Sequence, residues 1–176
     1  MAGAFVVFRG AQLPLHVVNR YALIKGRRWF NQTQMVDGVL KGRTNHNAGL
    51  ELEKMKWEDL PDDWKEMAGY VCLPGALSTS VSFKVALEFA FASGNTEGHI
   101  PTMFVIVCQN YDRFSGFRMD SAFYSAHPYE QEVLMMEGTQ VAVVGTDDFV
   151  IDNRLSSSDP FWLPFNNKVI HVIYLF

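Results

Sequence analysis

Apolar and polar positions follow two different patterns along the chain, and the change between them falls near residue 69. Beyond that point, short runs of apolar residues, rich in Val, Ile and Phe, are separated by polar segments. Such runs are typical of β-strands. We therefore predict strands at residues 70–73, 76–80, 102–108, 132–136, 139–144 and 169–176. One further apolar run, residues 4–8, predicts a first strand that ends at Arg9 and Gly10.

The section between the first strand and the later ones has a different pattern. Roughly residues 13–68 are predicted to be helical with breaks, because apolar residues cluster as on one helix face and glycines interrupt them. Ser82 is a residue type that caps helices, and a second helix is predicted to follow it. Its predicted apolar face comprises Val85, Ala86, Phe89 and Ala90. Helices come first and strands dominate later, which predicts an α+β fold with mixed or antiparallel sheets.

Composition predicts one globular domain over residues 1–176, since 48% of the residues are apolar and 19% are charged. The net charge of −4 gives no general basic surface, so we expect no nucleic-acid partner. No apolar stretch approaches the roughly 18 residues of a membrane-spanning helix, and none is expected. No signal peptide opens the chain, which leaves its localisation open between the cytoplasm and secretion or delivery as an effector.

Two carboxylates stand close together before a predicted strand. Glu130 and Glu132 are two residues apart, and in extended backbone such residues point to the same face. A pair of acids in one pocket suits reactions that pass through a positively charged sugar, because one acid stabilises the cation and the other handles the acceptor. A solvated strand start is the simpler interpretation of the pair taken alone.

Hydroxyl groups and a cation complete the candidate chemistry. Ser78 and Ser80 alternate with Thr79 on a predicted strand, so the two serines share a face, and a serine hydroxyl can fix a carboxylate. Arg9 ends an apolar run, where a guanidinium can hold a phosphate or a carboxylate, and Gly10 lets a ligand approach the backbone. A strand-to-helix junction and an ordinary strand-end arginine explain the same residues without function.

Taken together, these segments resemble the mono-ADP-ribosyltransferases of the arginine–serine–glutamate class, which includes cholera-toxin-like toxins and vertebrate arginine-directed ecto-enzymes. The resemblance covers residues 5 to about 150, in the family's order and spacing. The matching segments are Phe8-Arg9-Gly10, Leu77-Ser78-Thr79-Ser80 with Val85-Ala86-Leu87-Glu88-Phe89 in the next helix, and Tyr129-Glu130-Gln131-Glu132-Val133-Leu134.

This resemblance implies a split β-sandwich, in which two sheets meet at a cleft that binds NAD as a substrate. Arg9 is expected to contact the NAD phosphates and to brace the first strand, and Gly10 to offer backbone groups to the nicotinamide amide. Thr79 and Ser80 are expected to line the nicotinamide side. Phe83 is a candidate for stacking on the nicotinamide ring, although packing at the helix start explains it equally well.

The same resemblance assigns the catalytic roles. Glu132 is expected to be the catalytic acid residue, bonded to a ribose hydroxyl and held by Ser78. Glu130 is expected to engage the acceptor, and a glutamate there suggests an arginine side chain of a target protein. Residues 110–129 are expected to form the loop that recognises the target. The aromatic residues expected to contact the target are Phe123, Tyr124 and Tyr129.

Three alternatives to an arginine-directed transferase remain open. An NAD glycohydrolase would use the same cleft with water as the acceptor. A non-catalytic binding module would keep the fold without the activity, and a plain α+β domain would bind proteins through its aromatic loop. No metal is expected, because the five histidines show no ligand spacing with cysteines or acids. A Rossmann dinucleotide fingerprint is also lacking in the sequence.

Overall fold

A computed structural model describes the chain at residues 5–21, 70–72, 75–92, 97–108, 116–119, 126–151, 158, 165 and 167–175. The helical elements of these residues are α1 (Leu15–Arg20), α2 (Phe83–Phe91) and a 3₁₀ helix (Pro128–Glu130). The strands are β1 (Phe5–Pro14), β2 (Tyr70–Cys72), β3 (Leu77–Ser80), β4 (His99–Cys108), β5 (Gly116–Arg118), β6 (Glu132–Met135), β7 (Gln140–Val150) and β8 (Val169–Leu175).

The described strands form a mixed sheet in the order β2-β7-β8-β4-β1-β3-β6-β5. β4 and β8 run parallel to each other, and the other neighbours are antiparallel. A sheet-dominated α+β fold agrees with the expectation from the sequence. The hydrogen-bonded order of the described strands is continuous and does not show the expected division into two sheets. That division stays a prediction.

One strand pairing in this order, between β1 and β3, involves far fewer residues than the pairing of β1 with β4. β1 pairs with β4 along its whole length, from Phe5 to Pro14. Towards β3, the described pairing is a single position, Phe8 opposite Ser80. β3 then pairs with β6 over all four of its residues. The described backbone pairing of β1 and β3 is therefore limited to one position, and the space beside that position is available for side chains.

The core occupies both sides of the central strands. On one side, α2 packs its buried residues against alternate residues of β1, β4 and β8. On the other side, a second cluster joins the opposite face of the same strands to β6 and β7. Because β4 is covered on both faces, its sequence is a nearly continuous apolar run instead of an alternating one.

Helix α2 begins as the sequence predicts, but it buries a different face. The Ser82 side chain accepts a hydrogen bond from the backbone nitrogen of Val85, at 3.4 Å, which caps the helix. The buried residues are Phe83, Ala86, Leu87 and Ala90. The predicted face included Phe89, which is instead 54% exposed. The error is a rotation of about one residue around the helix axis, which brings Phe83 and Leu87 into the core.

Several predicted boundaries also shift. β1 continues to Pro14 because its partner β4 extends to His99, so the helical section begins at Leu15 instead of residue 13. Residues 22–68 of that section lie outside the described residues. β7 continues to Val150, where β8 provides a partner, beyond the predicted end at residue 144. The predicted long connection, residues 110–129, contains strand β5.

Candidate functional site

A pocket of about 200 Å³ lies beside the one position at which the described backbones of β1 and β3 pair. β1, β3 and α2 form its walls together with the segment that leads into β6. Every residue that the sequence singled out for the site lines this pocket except Phe83. The lining residues are Phe8, Arg9, Gly10, Ser78, Thr79, Ser80, Val85, Ala86, Phe89, Glu130 and Glu132.

Glu132 is held in the pocket by a short hydrogen bond. It is the first residue of β6 and lies opposite Ser80 in the register of β3 and β6. The Ser78 hydroxyl donates to Oε1 of Glu132 at 2.6 Å. A hydroxyl-to-carboxylate bond of this length is charge-assisted and restricts the rotamer of the acid. The contact is the one that the sequence resemblance implied.

Arg9 also binds the same serine, at its backbone carbonyl. Its Nη1 donates to the backbone oxygen of Ser78 at 2.8 Å. Arg9 directly follows Phe8, the residue that pairs with β3, so its side chain makes a contact where the backbone pairing of β1 and β3 has ended. Partial burial lowers the pKa of Arg9 from its ordinary value, but a guanidinium stays protonated in proteins. Ser78 thus connects a cation to a carboxylate through its carbonyl and its hydroxyl.

The hydroxyls of Thr79 and Ser80 are bonded to the protein main chain. Thr79 Oγ1 donates to the carbonyl oxygen of Val133 at 2.6 Å. Ser80 Oγ donates to the carbonyl oxygen of Glu130 at 2.6 Å and accepts from the backbone nitrogen of Ser82 at 2.9 Å. Both residues line the pocket as expected, but these bonds commit their hydroxyl protons to bracing neighbouring segments instead of contacting a ligand.

The two glutamates reach one pocket by a different backbone path from the predicted one. Glu130 ends the 3₁₀ helix, and Glu132 starts β6. Gln131 between them is left-handed, with φ 48° and ψ 46°. The expectation of an extended backbone through the pair is therefore wrong. A turn, and not the two-residue period of a strand, brings both acids to the pocket.

Gly10 lines the pocket, and the structure also gives it a packing role. A Cβ atom at this position would overlap the backbone oxygen of Ala86 and lie 2.8 Å from the backbone nitrogen of Ala90. The missing side chain thus lets helix α2 approach strand β1 closely. The approach of a ligand to the Gly10 backbone stays a prediction.

The aromatic residue at the pocket is not the one that the sequence suggested. Phe83 is fully buried and makes edge-to-face contacts with Phe8 and Phe149, at centroid distances of 5.4 and 6.3 Å. It therefore belongs to the core and cannot stack on a ligand in the pocket. Phe89, six residues further along the same helix, lines the pocket with an exposed ring. The sequence signal for Phe89 was its apolar periodicity, which assigned it to the core.

Beside Glu130, an aromatic pair extends from the 3₁₀ helix. Tyr129 is 69% exposed, and its hydroxyl lies 3.1 Å from Nδ1 of His127. The two rings also meet edge to face, at a centroid distance of 5.6 Å. Of the aromatic residues expected to contact a target protein, Phe123 and Tyr124 lie outside the described residues.

Within the described part of the chain, no three His, Cys, Asp or Glu side chains come together as metal ligands would. No helix in the same ranges has the length and apolar character needed to cross a membrane.

Solved structures that resemble this chain include ADP-ribosyltransferases of low sequence identity. HopU1 of Pseudomonas syringae pv. tomato is 13% identical, with a TM-score of 0.44 over 99% of this chain and 46% of its own. Vis, solved with an inhibitor, is 13% identical, with a TM-score of 0.45 over 100% of this chain and 49% of its own. C3stau2 of S. aureus, solved with NAD, is 19% identical, with a TM-score of 0.44 over 99% and 63%.

The chain thus spans less than two thirds of the length of each of these three proteins. No protein-family model and no curated protein matches the sequence. At such identities and TM-scores, the structural matches do not assign a function to the chain.

Proposed function

We propose that this chain is an NAD-dependent mono-ADP-ribosyltransferase that transfers ADP-ribose from NAD to an arginine side chain of a target protein. The observation that carries the proposal is the hydrogen-bonded series from Arg9 through Ser78 to Glu132 at the wall of one pocket. It presents a fixed carboxylate and a partly desolvated cation side by side. A substrate with a positively charged sugar next to a diphosphate needs both.

The fixed carboxylate supports the bond-breaking step. When the bond between the ribose C1′ and the nicotinamide nitrogen breaks, its electron pair leaves with nicotinamide, which becomes neutral, and positive charge develops on the ribose. Glu132 stabilises this charge, and the Ser78 hydroxyl holds the carboxylate in place beforehand. Preorganised groups of this kind are each worth about 3 kcal/mol of transition-state stabilisation.

The size of the pocket suits one end of the substrate. Pockets that enclose drug-sized ligands measure roughly 300–1,000 Å³, so about 200 Å³ holds only part of a dinucleotide. The nicotinamide and its ribose would fill the space between the Phe89 ring and Glu132. Arg9 would meet the adjoining phosphates, because a guanidinium that has lost part of its hydration binds anions more strongly.

Glu130 supports the choice of an arginine acceptor. It lines the same pocket as Glu132 and sits beside the exposed Tyr129. A carboxylate matches a guanidinium with paired hydrogen bonds. Glu130 would orient the guanidinium and accept one proton from the attacking nitrogen as that nitrogen forms its bond to C1′. The atoms and charges then balance, with neutral nicotinamide as the leaving group.

An assay with NAD and agmatine, a small guanidine, tests this proposal. Wild type should release nicotinamide and form ADP-ribosyl-agmatine, and Glu132→Gln should lower both rates about 100-fold or more. Glu137→Gln is the matched control, because Glu137 is an exposed glutamate in the turn after β6, away from the pocket. Equal activity of the Glu132 and Glu137 variants would remove Glu132 from the mechanism. An inactive wild type would rule out the transferase.

A further inference from the structure

Ser80 connects two segments that are far apart in the sequence. It is the last residue of β3 and is only 5% exposed. Its hydroxyl donates to the carbonyl oxygen of Glu130 and accepts from the backbone nitrogen of Ser82 at the start of α2. The next residue, Val81, donates its backbone N–H to the carbonyl oxygen of Gln131 at 3.1 Å. Ser80 and Val81, which are consecutive, thus hold the carbonyl groups of the two peptide units that flank the Cα atom of Gln131.

The segment held in this way has an unfavourable backbone conformation. Gln131 lies in the left-handed region, which residues other than glycine adopt at an energetic cost. Its N–H donates to the Pro128 carbonyl oxygen at 3.2 Å, and the N–H of Glu130 donates to that of His127 at 3.0 Å. Such a conformation persists where surrounding contacts impose it. The bonds from Ser80 and Val81 are contacts of this kind.

We propose that Ser80 is a positioning residue for Glu130, and that it thereby sets the share of ADP-ribose that reaches the acceptor instead of water. This inference rests on the proposed transferase function. Ser80 need not touch the substrate, since its hydroxyl is committed to Glu130 and Ser82. It acts by fixing the turn that directs the Glu130 side chain into the pocket.

Different hydroxyl groups hold the two glutamates, so loss of the Ser80 hydroxyl should affect Glu130 and not Glu132. Glu132 is held by the Ser78 hydroxyl, whereas the main chain of Glu130 is held by the Ser80 hydroxyl. Loss of the Ser80 hydroxyl leaves the carbonyl of Glu130 and the N–H of Ser82 without that partner. The turn can then relax at Gln131 and turn the Glu130 carboxylate away, while Glu132 keeps its bond.

The main test compares Ser80→Ala with Ser78→Ala in the agmatine assay. Ser80→Ala should lower the ratio of transfer to NAD hydrolysis by about threefold to tenfold, as loss of the hydrogen bond to Glu130 allows, and should raise KM for agmatine more than KM for NAD. Ser80→Thr, which keeps the hydroxyl, should restore the ratio. Ser78→Ala should lower both reactions together. An unchanged ratio in Ser80→Ala would overturn the positioning role.

A second pair of variants tests the turn without altering Ser80. Gln131→Gly favours the left-handed conformation and should keep the wild-type ratio, whereas Gln131→Val disfavours it and should lower the ratio as Ser80→Ala does. The Gln131 side chain is exposed, so either variant should fold. Equal ratios in the two variants would contradict the role assigned to the turn.

Amide hydrogen exchange tests the positioning role of Ser80 independently of the proposed transferase function. In Ser80→Ala, the amides of residues 126–132, apart from Pro128, which has none, should exchange about threefold to tenfold faster than in wild type, with no comparable change in β4. This measurement needs no substrate. Unchanged exchange overturns the positioning role even if the enzyme is active, whereas an inactive wild type overturns the transferase function whatever the exchange shows.

Discussion

At the scale of single residues, one serine determines how the charged groups of the pocket are arranged. Ser78 is exposed, yet its carbonyl accepts from Arg9 and its hydroxyl donates to Glu132. The carbonyl oxygen keeps the guanidinium near the wall without neutralising its charge. The short hydroxyl bond fixes the carboxylate without protonating it. Both charges therefore stay available to a substrate.

In the proposed mechanism, Glu130 is the residue that distinguishes a transferase from an NAD glycohydrolase. Glu130→Gln removes the group that would accept a proton from the guanidine, so transfer to agmatine should fall about 100-fold. NAD cleavage should fall much less, because water replaces the guanidine and Glu132 is unchanged. Parallel measurement of nicotinamide and ADP-ribosyl-agmatine checks this. Transfer that survives the substitution would show that Glu130 has no role with the acceptor.

At the scale of elements, the packing of α2 on β1 decides which side chains reach the pocket. Gly10 lets the helix approach, and Phe83, Ala86, Leu87 and Ala90 then face the core. The remaining face of the helix includes Phe89, which lines the pocket. A helix placed further from β1 would widen the pocket and move that ring. The same contact thus contributes to both the core and the candidate site.

Gly10→Ala should therefore destabilise the fold. The added methyl group overlaps the Ala86 backbone, which cannot move as a flexible side chain could, and overpacking of this kind costs about 2 kcal/mol. The melting temperature should fall by roughly 4–8 °C for a chain of this size. Gly75→Ala is the matched control, because a Cβ there meets nothing within 4 Å. Equal melting temperatures of the two variants would contradict the close packing described for Gly10.

At the scale of the whole molecule, the pocket lies between two groups of strands whose described backbone pairing is a single residue pair. β1 and its neighbours supply Arg9 and Gly10, whereas β3 and β6 supply Ser78 and Glu132. The backbone pairing between the groups is limited to Phe8 and Ser80 among the described residues. A ligand that contacts both groups of strands would add non-covalent contacts between them and stabilise the folded state.

NAD should accordingly raise the melting temperature of the wild-type protein. Binding to the folded state at a hundred times Kd contributes about 2.7 kcal/mol, which corresponds to roughly 5–10 °C here. ATP has adenine, ribose and phosphates but no nicotinamide, and it should give a smaller shift. An absence of any shift with NAD would favour the protein-binding alternative, and equal shifts with both nucleotides would argue against a nicotinamide pocket.

Local sequence patterns determined most of the strands and the chemistry of the site. Apolar runs predicted the positions of the later strands, and Ser82 correctly marked the start of α2. The family resemblance of the segments that contain Arg9, Ser78 and Glu132 implied one site, and the structure brings these residues into one pocket. Periodicity and residue type suffice here because strands and caps depend on near neighbours along the chain.

Contacts between distant residues decided the rest, and no local pattern contains them. The length of β1 depends on its partner β4, and the end of β7 depends on β8. The exposure of Phe89 depends on how α2 is rotated against β1, a choice that Gly10 permits. The left-handed turn at Gln131 depends on bonds from Ser80 and Val81, some fifty residues earlier. The sequence by itself determined which groups the pocket contains. Tertiary packing decided where each group points, because free energy gained across the fold outweighs the local preference of a single residue.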